Sequence, residues 1–212
     1  MGKDNISMSV IRRLPRYYRY LCELENNGIL RVSSKELSSR MGFTASQIRQ
    51  DFNCFGGFGQ QGYGYPVSQL KHEISDILGL SSKRKAILLG VGNLGRALLS
   101  ISFDKMGFDL VGLFDVNSRV VGSEIKGYTV LPYSGLKEFC EREKPEMAII
   151  CIPASAVSKV SDDLISYGVK AFWNFSHFDI SMRHPDVCVE GVHLNDSLMT
   201  ISYMLNDDED TE

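Results

Sequence analysis

The sequence predicts an α/β protein, with a small helical domain over residues 1–82 followed by a doubly wound parallel sheet over residues 83–192. Three observations carry this. Two capped helical segments flank a tight turn at Met41-Gly42-Phe43. From Lys85 onward, short apolar runs alternate with helical patterns, which is the signature of strands joined by crossover helices. The two patterns meet at the polar stretch Ser81-Ser82-Lys83-Arg84.

Bulk properties narrow the class. A chain of 212 residues can bury a core in two small domains. No apolar run reaches membrane-spanning length, and the first residues lack a signal-peptide pattern. The five cysteines (Cys22, Cys54, Cys140, Cys151, Cys188) are scattered, odd in number and form no CxxC. They fit the reduced thiols of a cytoplasmic protein and argue against disulfides or a metal site. Cys151 lies in an apolar run and reads as a buried, inert thiol. Charge is uneven. Residues 1–82 hold 10 Lys+Arg against 7 Asp+Glu, a net +3, and the remainder holds 13 against 19, a net -6. Arg12, Arg13, Arg16 and Arg19 cluster early, as expected of a domain that meets a polyanion. Residues 207–212 form an acidic tail.

In the first domain, Pro15 opens a helix that runs to Asn26 and stops at Gly28. Ser33 caps the next helix, with Glu36 completing a capping box. Thr44 caps a third, over Ala45 to Cys54, with Gln47 as its box partner. Two short helices around a tight turn make a helix-turn-helix, whose second helix enters a DNA major groove. Ser46, Gln47, Arg49 and Gln50 on that helix suit base edges and phosphates. The stretch Phe55 to Pro66 alternates glycine with aromatic and amide residues and reads as a hairpin wing, with Phe58, Gln61 and Tyr63 facing DNA. A helix over Val67 to Leu80 closes the domain.

In the second domain, strands are expected at Lys85–Leu89, Leu110–Phe114, Tyr128–Leu131, Met147–Ile152 and Ala171–Phe175. Helices are expected at Asn93–Phe103, Ser134–Glu143 and Ala154–Tyr167. Between the first strand and first helix lies Gly90-Val91-Gly92-Asn93-Leu94-Gly95, a GxGxxG loop. Its context gives it weight: it follows a strand, opens a helix, and Asp115 lies twenty residues beyond Gly95. Gly90 permits the turn, Gly92 admits a pyrophosphate, and Gly95 lets helix and strand pack closely. Helix N-terminal amides hold phosphates. Asp115 accepts from the ribose hydroxyls and repels a 2′-phosphate, favouring NAD(H) over NADP(H). Arg119 lies nearby, and Pro153 shapes the cleft at the strand ends. This is a Rossmann-like dinucleotide site. An oxidoreductase would need a positioned base, for which only the loop histidines His177, His184 and His193 are candidates. A CoA- or nucleotide-binding module is a second rival, which Asp115 opposes.

These segments together resemble the Rex family of redox-sensing repressors, in the version found in clostridia and their relatives. The carrying residues are Leu14-Pro15-Arg16-Tyr17-Tyr18-Arg19, Ser33 to Leu37 and Ser46 to Phe52. Phe55 to Gly59, Gly62 to Tyr65, the Gly90–Gly95 loop and Phe114-Asp115-Val116 complete the match. The resemblance implies a homodimer of winged-helix and Rossmann domains, with a C-terminal helix (193–206) swapped onto the partner. It implies a repressor, not an enzyme, that binds a palindromic operator when free or NAD+-bound and releases it with NADH. The alternative is an NAD-dependent oxidoreductase with an accessory N-terminal domain. Arg16, Tyr18, Arg19, Ser34 and Lys35 are expected at the DNA backbone. Against the wider family, Gly57 and Gln61 replace a Glu and an Arg of the wing, and Gln50 replaces a basic residue. Ile101 and His193 replace a tyrosine and an acidic residue that bond to each other.

Overall fold

The structure, a computed structural model, describes residues 6–56 and 63–209. The chain divides into two compact units, Met1–Ser81 and Ser82–Glu212.

The first unit holds α1 (Met8–Ile11), α2 (Leu14–Asn26), β1 (Arg31–Val32), α3 (Ser34–Met41), α4 (Ala45–Asn53), β2 (Tyr65–Pro66) and α5 (Val67–Leu78). Local chemistry sets these boundaries. Pro15 sits in the first turn of α2, where its missing N–H costs nothing. Ser33 and Glu36 form the full capping box of α3, and Gly42 ends that helix in the left-handed conformation. Thr44 caps α4 by accepting from the Gln47 amide, but the Gln47 side chain does not return to the cap as expected. It donates instead to Asp51, one turn along the same face. Most of the expected wing hairpin, residues 57–62, lies outside the described residues. Its described end, β2, pairs antiparallel with β1. The Arg31 guanidinium ties the join by donating to the carbonyls of Tyr63 and Gly64. Gly64 has φ +66°, and a Cβ there would sit 2.8 Å from the Val32 carbonyl oxygen. Leu14, Tyr17, Leu21, Leu37, Ile48, Phe52, Leu70 and Ile74 pack into one core.

The second unit contains β3 (Arg84–Leu89), α6 (Asn93–Leu98), β4 (Phe108–Asp115), β5 (Glu124–Ile125), β6 (Tyr128–Pro132), α7 (Leu136–Glu143), β7 (Met147–Ile150), α8 (Ala154–Ser166), β8 (Ala171–Asn174), α9 (Ile180–Arg183), β9 (Cys188–Gly191) and α10 (Leu194–Glu209). Its sheet has the order β5-β6-β4-β3-β7-β8-β9, parallel throughout except for the β5-β6 hairpin. Central β3 is buried on both faces. Ile87 and Leu89 join Phe114, Ala148, Ile150 and the α7 and α8 side chains; Ala86 and Leu88 join Leu98, Leu113 and Ile149 on the other side. That explains why the strand reads as an unbroken apolar run.

Several expectations shift. α6 ends at Leu98, not Phe103, and tight turns at Ser100 and Ile101 lead Phe103 into the core. β7 ends at Ile150, so Cys151 and Ile152 leave the sheet. β5 was not foreseen; its turn carries positive φ at Lys126 and Gly127, the two-residue hairpin geometry, with a lysine where Asn or Asp is usual. β9 was also not foreseen. α10 runs through Glu209, beyond the expected end, since no Gly or Pro interrupts the stretch. No helix among the described residues is long and apolar enough to cross a membrane.

Candidate functional site

Strand order reverses about β3, and there the carboxyl ends of β3, β4 and β7 open a crevice. A cavity of about 550 Å³ lies in it, lined by Leu89, Gly90, Gly92, Phe114, Asp115, Tyr133, Cys151, Ile152, Pro153 and the α8 residues Ser155, Ala156 and Lys159. Most of these walls are apolar, with Asp115 and Lys159 as charged groups, which is the usual make-up of a cofactor site.

The glycine loop is built by two close approaches and one open position. Gly90 has φ +93°, and a Cβ there would fall 2.4 Å from the Cys151 carbonyl oxygen. A Cβ on Gly95 would fall 2.1 Å from the Gly90 carbonyl oxygen, so helix and loop pack backbone to backbone. A Cβ on Gly92 would meet nothing within 4 Å. Gly92 is therefore bare on the side where the loop faces open space, and a phosphate can reach its backbone. Val91 is buried and Leu94 half-buried against the core, so these residues offer only backbone groups. Asn93 is exposed at the first position of α6, whose opening amides have no partners within the helix.

Asp115 stands at the end of β4. One carboxylate oxygen accepts the Val91 amide at 2.7 Å, and the other accepts the Asn117 amide at 2.8 Å. Each oxygen keeps a second lone pair, enough for one ribose hydroxyl apiece. The Val91 amide, however, is committed to Asp115 and is not a phosphate donor. Arg119 is exposed and outside the cavity wall; its amide closes a turn onto Asn117. Tyr133 donates its hydroxyl to Asp163 of α8 at 2.7 Å, and burial followed by that bond pushes its phenol pKa up. Burial pushes the Cys151 thiol up to about 12, as befits an inert cysteine. Sequence reading missed Tyr133, Cys151, Ala156 and Lys159 as wall residues. The signal was there for α8, since Ala156 and Lys159 recur at helical spacing after Pro153.

His177 and His193 stack nearly parallel, with centroids 5.4 Å apart and 9° between planes. They line a separate small pocket with Asn174, Asp179 and Gly191, away from the glycine loop. Ile101 lies beyond α6 and packs against the core.

In the first unit, Ser46, Arg49 and Gln50 of α4 are exposed, as are Arg16, Arg19, Lys35 and Tyr63. Arg49 donates to Ser34 at 3.1 Å, which brings two sequence-predicted contacts of α4 and α3 together. Arg16 lies 4.7 Å over the Phe43 ring and donates to the Met41 carbonyl. Tyr18 is placed differently: it is half-buried at the α2–α5 seam near Cys22, Lys71 and Ser75, and burial raises its phenol pKa. Its ring is part of the packing, not a free contact. Gln47 is half-buried against Asp51. Phe58, Gln61 and Gly57 lie outside the described residues. Arg13 leaves the basic cluster altogether. It makes a bidentate pair with Asp51 at 2.7 Å, beside the Tyr17 hydroxyl, also at 2.7 Å.

Comparison with known proteins decides the family. A Rex redox-sensing transcriptional repressor of Clostridium botulinum (strain Hall) is 49% identical over 208 residues, covering 98% of this chain and 99% of that protein. The Rex repressor of Thermoanaerobacter pseudethanolicus is 50% identical, covering 98% and 92%. This chain belongs to the Rex family of redox-sensing transcriptional repressors. Rex-family structures agree. RSP in complex with β-NAD+ and operator DNA matches with a TM-score of 0.90 and 50% identity, covering 98% of this chain and 95% of that one. RSP in complex with β-NADH matches with a TM-score of 0.88 and 47% identity, covering 98% and 97%. Family profiles described as "Putative DNA-binding protein N-terminus" and "CoA binding domain" match residues 5–53 and 81–178. In this Rex chain the second profile covers the dinucleotide crevice.

Proposed function

We propose that this chain is a cytoplasmic repressor that binds operator DNA as a homodimer when free or NAD+-bound and is released by NADH. The observation that carries it is Asp115 at the rim of the glycine-loop cavity, in a chain half identical to Rex repressors. The related RSP binds NAD+ with operator DNA, and also NADH.

In this reading the backbone of Gly90, Gly92 and the first turn of α6 holds the pyrophosphate. Asp115 takes the two ribose hydroxyls, and Pro153 closes the adenosine side of the crevice. The same carboxylate repels a 2′-phosphate, and it equally repels the ribose 3′-phosphate of CoA, so NAD(H) is the ligand. The bound cofactor supplies a nicotinamide ring whose charge and pucker differ between its two redox forms. On the DNA side, Arg49, Gln50, Ser46 and Gln47 face the groove, while Arg16, Arg19, Ser34, Lys35 and Tyr63 meet the backbone. α10 exposes Leu194, Leu198, Met199, Ile201 and Leu205, an apolar surface that a second copy covers.

Operator half-sites are fixed in spacing, so a small rotation of one subunit against the other misplaces the recognition helices. NADH shifts the equilibrium only by its differential affinity for the two arrangements. By linkage, operator DNA weakens NADH binding by the same factor. The oxidoreductase reading looked to the loop histidines for its base, and none of them lines the cavity: His177 is stacked on His193 in a different pocket, and His184 is hydrogen-bonded to Asp162. The test is an operator-release titration with NADH and NAD+, paired with NADH binding with and without DNA. Release by NADH alone and weaker NADH binding on DNA are expected. Equal NADH affinity in both conditions would overturn the coupling.

A further inference from the structure

The inner face of α4 carries a fixed point, Asp51, behind the exposed residues of that helix. Asp51 is fully buried on the inner face of α4. Its carboxylate takes four hydrogen bonds: two from Arg13, one from the Tyr17 hydroxyl and one from Gln47 Nε2 at 2.9 Å. Arg13 is the N-cap residue of α2 and Tyr17 lies in its first turns; the Tyr17 ring is edge-on to Phe43 and Phe52, and the Arg13 guanidinium lies over the Phe43 ring. Such an anchor is stiff. A buried ion pair is a weak source of stability by comparison with apolar packing, and its better-attested use is to fix one arrangement among several.

What it fixes is the carboxamide of Gln47. A carboxylate only accepts, so the amide nitrogen must be the end that faces Asp51. No buried side-chain polar atom among the described residues lacks a partner, and Gln47 Oε1 has no hydrogen-bond partner among the described residues. Oε1 therefore reaches solvent. Gln47 is the third residue of α4, and recognition helices contact base edges with their N-terminal residues.

We propose that Asp51 is a positioning residue for base readout. It holds the Gln47 amide in one orientation, so that Oε1 is presented as an acceptor toward the exocyclic amine of an adenine or cytosine. The proposal rests on α4 being the helix that enters the groove. A glutamine free to flip would offer donor or acceptor alike and would tolerate more bases at that position.

The test compares the full-length wild type, Gln47→Met and Asp51→Asn by selection from randomised duplexes, followed by titration of single-base variants of the selected site. Both variants are expected to lose preference at the same base pair, by roughly tenfold. The dependence of affinity on salt should be unchanged, because no phosphate contact is lost. A uniform loss of affinity in Asp51→Asn with base preference intact marks a purely structural role and overturns the proposal. So does an unaltered preference in Gln47→Met. A second measurement needs no variant: nitrogen relaxation of the Gln47 side-chain amide in the wild type should show it as ordered as the backbone of α4, and a freely rotating amide overturns the proposal. Failure of the wild type to select any sequence is a different result, and it counts against DNA binding by α4 itself.

Discussion

The carboxylate of Asp115 accepts the backbone amide of Val91 at 2.7 Å, joining the end of β4 to the glycine loop that follows β3. The residue proposed to select the ribose therefore also shapes the glycine loop. Asp115→Ala is expected to weaken NADH binding by about 1.5–3 kcal/mol, the range for hydrogen bonds to a charged group, and to narrow the gap between NADH and NADPH. Calorimetric titration with both cofactors checks this; an unaltered preference would contradict the ribose assignment.

Gly92 and Gly95 should separate binding from folding. At Gly92 the backbone has φ -77° and an added Cβ meets nothing, so Gly92→Ala should melt at the wild-type temperature while binding NADH poorly. At Gly95 the Cβ would collide with the Gly90 carbonyl, so Gly95→Ala should cost stability, about 1–3 kcal/mol. Thermal melts beside cofactor titrations distinguish the two.

Arg49 is exposed on α4 and steadied by Ser34. If it reads a guanine, Arg49→Ala should cost about 1–3 kcal/mol in operator binding and relax specificity at one position. Lys35, exposed on α3, is proposed to meet the DNA backbone, so Lys35→Ala should weaken all sequences alike and reduce the salt slope. Fluorescence anisotropy at several salt concentrations tells these effects apart, and an unchanged affinity for Arg49→Ala removes that residue from the interface.

Asp51 makes the first domain acid-sensitive. Burial pushes its carboxyl pKa up, but the bonds from Arg13, Tyr17 and Gln47 outweigh burial and leave it below the ordinary value. A lowered folded pKa means that the stabilisation is complete above the unfolded value, about 3.9, and is lost as pH falls through the folded one. Amide exchange at Ile48 and Phe52, corrected for intrinsic rates, should show protection falling below about pH 4. Protection independent of pH in that range would show that the carboxylate contributes nothing.

Much of this protein was legible one residue at a time. Helix caps and stops are local chemistry, so Ser33, Glu36, Gly42 and Thr44 marked α3 and α4 before any packing was known. The glycine loop and Asp115 were legible because Gly90 and Gly95 answer backbone demands that the neighbouring strand and helix impose, while Gly92 leaves the loop open. Short edge elements were less legible: β5 and β9 exist because a neighbouring strand pairs with them, and pairing partners are not adjacent in sequence.

By itself, then, the sequence determined the order of the main helices and strands, the glycine loop and the polar face of α4, since these follow from local periodicity and backbone geometry. Tertiary structure alone decided how side chains were shared out. Arg13, which the sequence places in the early basic cluster, was brought onto Asp51, 38 residues away. Tyr18 turned into the α2–α5 seam, and Cys151 left its strand to line the cavity. The Val91 amide went to Asp115 rather than to a phosphate. Each is a contact between residues distant along the chain, and a buried donor or acceptor takes whichever partner the fold places within reach.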